Sequence, residues 1–318
     1  MNGGTHSAFS IMAAAVLLLA NLGEGRAGDL CVRATACGEG CEHERSYGPC
    51  PHHARLTLMQ WSYGTSFSGG PPGRDEPLAS DRPDFTEASS TVGRGVVQIE
   101  SGYTFIRDRD GGSTLTAHSF PETLLRVGVL AEWLELRAAY NYGVETTRLA
   151  GVSTEVSGSE DLYLGLKLGL TPQEGILPEM ALVPQMTVPI GSSEFSAGEV
   201  LPGVNWLYGW DINDFLSTAG STQVNRALDG VTGEPYLEFA QSWTIGYSLA
   251  ERLGAYTEIF TLVPDGADTD KTQTYFNGGF VFPVTNDLQF DIRAGLGLND
   301  AADDFFSGAG MGGGGGGG

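Results

Sequence analysis

The sequence is poor in basic residues and has no apolar run of membrane-spanning length. Its 318 residues include 17 Lys+Arg against 39 Asp+Glu, which gives a formal net charge of -22 at pH 7. A surface that acidic repels phosphate groups, so nucleic acid is disfavoured as a partner. The longest purely apolar run, Ile11–Ala20, is about half of the roughly 20 residues that a spanning helix needs. A helical membrane protein is therefore excluded.

The sequence also lacks the short motifs of common enzyme classes. It contains no GxSxG, no phosphate loop, no dinucleotide fingerprint and no HExxH. A serine hydrolase needs a histidine base beside its nucleophile, and beyond the N-terminal region the sequence offers only His118, in a predicted loop. We predict that the protein is not an enzyme and that it has no catalytic residue, no metal ligand and no cofactor.

Both ends of the chain differ from the middle. Residues 8–22 have the length and apolarity of a signal-peptide core, and Gly25–Ala27 supplies small residues at a cleavage site. We predict export with cleavage after Ala27, so that residues 1–27 are a signal peptide; a short buried helix is the alternative, because the start of the chain offers only His6 as a basic group. At the other end, residues 312–318 are all glycine and predict a flexible tail that does not pack.

Cysteine occurs only near the N-terminus, at Cys31, Cys37, Cys41 and Cys50. In an exported chain an even number of cysteines predicts two disulfides, with three pairings that the spacing leaves open. A metal or haem site remains an alternative, because His43, His52 and His53 lie among them, and free or intermolecular thiols are another. We expect residues 28–66 to form a periplasmic segment and the Pro/Gly-rich residues 67–80 to form a linker.

From about residue 96 onward apolar and polar residues alternate. In Val97–Phe105 one face carries valine, isoleucine, tyrosine and phenylalanine, while the other carries glutamine, glutamate, glycine and threonine. The runs have about the 9–11 residues with which a tilted strand crosses a bilayer. They predict an all-β, antiparallel up-and-down transmembrane β-barrel of about twelve strands, at residues 96–106, 121–131, 132–146, 160–170, 179–190, 200–212, 214–223, 234–249, 251–263, 272–283, 286–298 and 304–311.

The content of the polar face favours a barrel over a soluble β-sandwich. It is rich in glycine and in charges of both signs, as expected of a narrow lumen. The predicted connections alternate between long acidic loops and tight turns, which is typical of an outer-membrane barrel. Two predicted strands are weak, because residues 179–190 contain Pro184 and Pro189, and residues 214–223 are polar.

A motif before the first strand and several later segments carry a family resemblance. The motif residues are Asp81, Arg82, Pro83, Asp84, Phe85, Thr86 and Glu87, and the later segments are residues 95–103, 121–128, 134–137 and 303–310. Together they resemble the outer-membrane transporter family of the phenol-degradation meta pathway over about residues 80–311. The resemblance implies a small outer-membrane β-barrel with a transport role. In that family the last strand runs on to a terminal aromatic, whereas here polyglycine follows Met311, so we expect either poor assembly or a lost C-terminus.

The inward positions of the predicted barrel (residues 81–311) hold acids and bases that should pair with one another. They form either a structural ion-pair network that plugs the lumen or a selectivity lining. The predicted lining residues are Gln98, Glu100, Glu122, Arg126, Glu135, Arg137, Lys167, Asp291 and Arg293, with Asp161, Gln185 and Asn205 as further inward positions.

The functional hypothesis is a porin-like channel in the cell outer membrane for passive uptake or efflux of small solutes, including hydrophobic or aromatic ones. The alternative is a structural or adhesive barrel with a lumen plugged by side chains. The expected partners are outer-membrane lipid, a small-molecule solute and the outer-membrane assembly machinery. Acidic residues in the predicted loops, such as Asp108, Glu199 and Asp268, should favour cations or neutral molecules at the mouth.

Overall fold

The computed structural model describes residues 56–59, 70–73 and 76–316, which all fall in one compact unit, Arg55–Gly318. The predicted signal peptide and the four cysteines lie outside the described residues. In the described part no helix is long and apolar enough to cross a membrane. The described residues form thirteen strands: β1 (Val96–Asp108), β2 (Ser113–Gly128), β3 (Leu134–Leu149), β4 (Val152–Ser159), β5 (Leu162–Thr171), β6 (Glu179–Val188), β7 (Leu201–Asp211), β8 (Leu216–Leu228), β9 (Pro235–Ala250), β10 (Leu253–Asp265), β11 (Gln273–Thr285), β12 (Leu288–Gly297) and β13 (Phe305–Gly316).

The strands close into an antiparallel barrel. Strand β1 pairs with both β2 and β13, β3 pairs with β2 and β5, and from β5 onward each strand pairs with the next. Strand β4 stands outside this ring, because it pairs only with the later half of β3, from Tyr142 to Leu149. The barrel therefore has twelve strands plus one extra strand, and the predicted all-β barrel is confirmed.

Strands β2 and β4 extend into stretches that the sequence predicted as loops. Strand β2 begins at Ser113, inside the predicted loop 107–120, so His118 lies in a strand and not in a loop. Strand β4 lies inside the predicted loop 147–159. Both stretches are rich in serine, threonine and glycine, so no apolar alternation marks them as strands.

The two weak predicted strands are both present in the barrel. Strand β8 pairs along its whole length with β9. In β6 the ladder to β7 runs through Pro184, which lies opposite Val204. The ladder between β5 and β6 has a gap between Gly165 and Leu168, on the other side of Pro184. Proline lacks an N–H, so it costs pairing on one side of the strand without ending it.

The prediction of a non-packing polyglycine tail is wrong for residues 312–316. They form the last part of β13, where Gly312 lies opposite Glu100 and Gly316 opposite Val96. Ladder hydrogen bonds use backbone groups alone, and a barrel in lipid must pair its last strand to leave no open edge. These five glycines therefore help to close the barrel through their backbone hydrogen bonds alone. Gly317 and Gly318 lie outside the described residues.

The distribution of side chains is inverted relative to a soluble protein. The largest fully buried side chains include Arg126, Lys167 and Glu100, which face the lumen. Exposed large apolar side chains form an outer band of the kind that faces lipid. Members of this band are Ile99, Tyr103, Leu136, Trp206, Phe239, Trp243, Ile259, Phe276, Phe280, Phe290 and Ile292.

The two ends of the barrel carry connections of different length. At one end they are short, as at residues 251–252 and 286–287, and at the other they are longer, as at residues 229–234, 266–272 and 298–304. In outer-membrane barrels the short turns face the periplasm and the long loops face outward. We call these the short-turn end and the long-loop end.

Two of the long loops are joined through Asp229, which follows β8. Its carboxylate accepts hydrogen bonds from the hydroxyl and N–H of Thr269 and from the N–H groups of Val231, Thr232 and Asp270. These bonds, the Thr269 hydroxyl first among them, hold the pKa of Asp229 far below its usual range. The charged carboxylate therefore ties residues 229–234 to residues 266–272.

Asp229→Asn is expected to loosen both loops and to speed their cleavage in limited proteolysis at pH 7. The pKa of Asp229 is lower in the folded protein than in the unfolded chain, where it is about 3.9. The charged carboxylate therefore stabilises the loops fully above that pH, and this stabilisation is lost as the pH falls through the lower pKa of the folded protein. The wild-type loops should therefore stay protected down to about pH 4. Asp268→Asn, at an exposed position in the same loop, is the control and should leave cleavage unchanged. Equal rates in both variants would contradict the role of Asp229.

Candidate functional site in the barrel lumen

A loop of the chain enters the barrel just before β1. At its start the Leu78 N–H donates to the carbonyl of Asn286 in the β11–β12 turn, and at its end the Gly95 N–H donates to the carbonyl of Gly128. Both anchors lie at the short-turn end, and the chain between them contacts inward side chains of the wall. We call residues 78–95 the lumen loop. The family motif at residues 81–87 therefore lies inside the barrel.

Asp81 anchors the base of the lumen loop to three strands. Its Oδ1 lies 2.9 Å from Lys167 Nζ on β5, and its Oδ2 lies 2.8 Å from Arg137 Nη2 on β3 and 3.4 Å from Arg126 Nε on β2. Oδ1 also accepts the N–H of Ala88, which links the two limbs of the loop. One buried carboxylate thus meets three cations, which offsets the cost of removing each of them from water.

Arg126 is fully buried and donates to both the wall and the lumen loop. On the wall, Nε lies 2.8 Å from Glu135 Oε1 and Nη1 lies 3.1 Å from Glu100 Oε1. On the loop, Nη1 donates to the carbonyl of Ala79 and Nη2 to that of Ser90. A buried guanidinium needs partners for all its donors, and two of the acceptors of Arg126 are present only when the loop is in place.

Arg82 extends from the loop toward the other side of the barrel. Its Nη1 lies 2.9 Å from Glu122 Oε2, and its Nη2 lies 3.3 Å from Asp291 Oδ1. A Cβ on Gly102 or Gly310 would come within 2.3 Å of the Arg82 side chain, so glycine on β1 and β13 makes room for it.

Glu122 lies beside a break in the sheet. The register between β1 and β2 shifts between Glu100 and Thr104, and that between β2 and β3 shifts between Phe120 and Thr123. A β-bulge re-aims the side chains next to it. The bulge thus accounts for a carboxylate that reaches Arg82 in the lumen.

The tip of the lumen loop binds Glu258 of β10. The two carboxylate oxygens of Glu258 accept the backbone N–H groups of Phe85 (2.8 Å) and Thr86 (2.7 Å). Oε2 also accepts the side-chain amide of Asn277 on β11. Thr86 shares a further hydrogen bond with the hydroxyl of Ser242 on β9. The tip is therefore held directly to β9 and β10, and Asn277 of β11 orients the Glu258 carboxylate that binds it.

Aromatic rings continue from the loop tip toward the long-loop end. The ring of Phe85 stacks on Phe260 with centroids 4.5 Å apart, and Phe260 stacks on Tyr275 at 4.8 Å. Tyr275 meets Phe306 edge-on at 6.0 Å, and its hydroxyl donates to Asp303 in the β12–β13 loop. Flat ring faces of this kind are suited to contact apolar or aromatic solutes.

A cavity of about 390 Å³ lies between the lumen loop and the wall formed by β6 to β10, near the short-turn end. Its wall includes Gly209, Ser217, Ala219 and Gly246, whose small side chains leave the volume open. Four carboxylate residues line it, and no lysine or arginine among the described residues does. The carboxylates are those of Asp84, Glu87, Glu179 and Asp211.

All nine predicted lining residues lie inside the barrel or at its bulge. Most of them contact the lumen loop or one another around it and do not line an open lumen. Arg293, for example, donates to the Pro83 carbonyl and to Thr104 Oγ1. Their role in selectivity stays a prediction. Glu179 and Glu258 were not among the predicted lining residues, although the alternation Tyr256, Glu258, Phe260 in β10 would place Glu258 on the inward face.

A family model described as "MetA-pathway of phenol degradation" matches residues 80–312. Among solved structures, the COG4313 outer membrane channel from Pseudomonas putida F1 is similar at 14% identity and a TM-score of 0.54, covering 76% of this chain and 98% of that one. The transport unit of the autotransporter AIDA-I from Escherichia coli has 9% identity and a TM-score of 0.47 (68% and 88% covered), and the NanC porin has 10% and 0.41 (68% and 98%). Among curated proteins none matches the chain.

The match covers most of the chain and ends within the closing strand β13. It also includes the motif residues that fill the lumen. With a closed barrel and an outer apolar band, the protein is an outer-membrane β-barrel. The chain belongs to the family described as the MetA-pathway of phenol degradation.

Proposed function

We propose that the protein is a passive channel for small solutes, narrowed by the lumen loop. The observation that carries this proposal is the cavity between the loop and β6 to β10, because a filled barrel would leave no such volume. The solved structure from Pseudomonas putida is named an outer membrane channel, and its fold is similar to this one. A path beside the loop would let solutes pass without unfolding any strand.

The size of the barrel and the rings in its lumen indicate the kind of solute. Twelve strands lie between the eight of barrels filled by side chains and the 16–18 of open porins, so only small solutes should pass. The stacked rings of Phe85, Phe260 and Tyr275 make the part of the lumen beyond the loop tip apolar. We therefore include small hydrophobic or aromatic solutes in the proposed range.

A structural barrel without transport is the second candidate. The buried ion pairs around Asp81 favour it, because they hold the lumen loop in place through contacts to three strands. In that case the cavity would be a closed pocket. We propose no catalytic role, since most charged lumen residues are paired with one another. Export by a signal peptide, disulfides among the four cysteines and insertion by the assembly machinery remain predictions.

Single-channel recording in planar lipid bilayers distinguishes the two candidate functions. The variant Ala219→Leu tests in addition whether the current passes through the cavity. Ala219 lines the cavity, so a leucine there should lower the conductance on the order of 2-fold, because its added carbons displace several of the roughly 30 Å³ volumes that single waters occupy. Ala309→Leu makes the same change on the lipid-facing side of β13 and should leave the conductance unchanged. Folded protein that shows no current steps would favour the structural barrel.

A further inference from the structure

The carboxylates of the cavity differ from those in the ion-pair cluster around Asp81 in having few basic partners. Glu87 alone is paired, with Arg137 Nη1 at 3.0 Å. Glu179 accepts hydrogen bonds only from neutral donors, the Ser89 hydroxyl and the Gly70 N–H. Among the described residues, no lysine or arginine lies within ion-pair distance of Glu179, Asp84 or Asp211.

The basic groups lie on another part of the wall. Arg126, Arg137 and Lys167 project from β2, β3 and β5, where Asp81 and other carboxylates neutralise them. The cavity faces β6 to β10, and none of its lining residues in the described part of the chain is basic. The lumen therefore separates its charges, with paired cations on one side and unpaired carboxylates beside the open volume.

A buried hydroxyl also points to an occupant. Tyr256 lines the cavity and is 7% exposed, and its hydroxyl has no hydrogen-bond partner among the described residues. A buried polar atom without a partner is rare and indicates a bound water, ion or ligand. Phenolic oxygen can accept from an ammonium group or contact a metal cation, so its chemistry agrees with that of the carboxylates.

We propose that this cavity makes the channel selective for cations: it admits monovalent cations and small organic ammonium solutes and excludes anions. The proposal rests on the proposed channel function and identifies the solute charge that this path accepts. It places the selectivity beside the lumen loop, whereas the acidic loops act only at the outer mouth. A cation in the cavity would give Glu179 the opposite charge that its neutral hydrogen-bond donors do not supply.

The test is the reversal potential of the reconstituted protein across a KCl gradient and, in a second series, across a tetramethylammonium chloride gradient. Asp211 is exposed at the cavity rim, so Asp211→Asn should fold normally and should lower the cation-over-anion permeability ratio about 2-fold, the scale of one unit charge acting through a water-filled lumen. The double variant Asp211→Asn/Glu179→Gln should lower the ratio further. Asp287→Asn removes one exposed carboxylate in the β11–β12 turn at the same end and should leave the ratio unchanged.

The possible outcomes separate this inference from the proposed function. Cation preference in both salts that falls in the Asp211 variants but not in the control supports the inference. Preference for K⁺ without permeation of tetramethylammonium restricts it to inorganic cations. Current steps without cation preference, or equal ratios in Asp211→Asn and Asp287→Asn, overturn it and leave the channel intact. An absence of current overturns both proposals.

Discussion

Asp81→Ala is expected to raise single-channel conductance severalfold and to lower the thermal stability of the barrel. Asp81 is the carboxylate of the lumen loop that meets Arg126, Arg137 and Lys167, and its loss removes three ion pairs between loop and wall. Among the described residues, Lys167 then keeps only the Ala88 carbonyl as a hydrogen-bond partner. Removing one partner of a buried ion pair typically costs about 3–5 kcal/mol, because the remaining charge stays buried and unpaired.

We expect this loss of stabilising free energy to release the lumen loop from the barrel wall. Four carboxylates, those of Asp81, Glu87, Glu100 and Glu135, meet three cations in this cluster, so the docked loop is stabilised by many opposite charges at once. If docking weakens by about 3 kcal/mol, the undocked population rises roughly 100-fold, since each 1.4 kcal/mol is a factor of ten. Undocking clears the lumen and leaves the full width of a twelve-strand barrel.

Two further variants separate charge from shape. Asp81→Asn keeps an oxygen that can accept the Ala88 N–H but loses the charge, so it should behave nearly as Asp81→Ala does. Asp110→Ala removes an exposed carboxylate from the β1–β2 loop and should change neither conductance nor melting temperature. If Asp81→Ala conducts and melts as the wild type does, the loop is held by other contacts and the ion-pair network does not control the path.

Local alternation was enough to predict the barrel, because lipid on one face and a polar lumen on the other impose a period of two. Gln98 and Glu100 point inward and Ile99 outward, as the sequence indicates. The lumen loop shows no such period. Its contacts join residues far apart in sequence, such as Arg82 and Asp291, which are separated by 209 positions. No spacing within residues 81–87 could have indicated those partners.

The lining residues illustrate the same division. Their inward orientation follows from strand alternation, and Arg126 and Glu135 are fully buried inside the barrel. What they bind depends on a loop that folds back into the barrel, whereas the sequence predicted a linker before Asp81 and a barrel after it. The bulge that brings Glu122 to Arg82 arises from two irregular ladders, which composition alone does not reveal.

Deleting residues 312–318 is expected to prevent closure of the barrel at the short-turn end and to abolish the heat-modifiable mobility of the folded protein on detergent gels. Gly312–Gly316 pair with Glu100–Val96 on one side, and Gly312 and Gly313 pair with β12 on the other. Each backbone group left unpaired in lipid costs several kcal/mol, so losing these pairs exceeds the roughly 5–15 kcal/mol that stabilises a typical domain. Deleting only residues 317–318, beyond the last pair, is the control and should leave the mobility unchanged.

Side chains added to the polyglycine strand test its two faces separately. Gly313 and Gly315 face outward with open space, since no atom lies within 4 Å of a Cβ on Gly315 and none closer than 3.9 Å on Gly313. Gly313→Val/Gly315→Val should therefore raise the melting temperature, because each glycine in a strand costs roughly 0.5–1 kcal/mol in backbone entropy and valine adds apolar surface for lipid. Gly310→Val on the inward face should lower it, because the new side chain collides with Arg82. Equal changes in melting temperature on the two faces would mean that β13 does not alternate between lipid and lumen. In that case glycine at position 310 would not be needed to make room for Arg82 of the lumen loop.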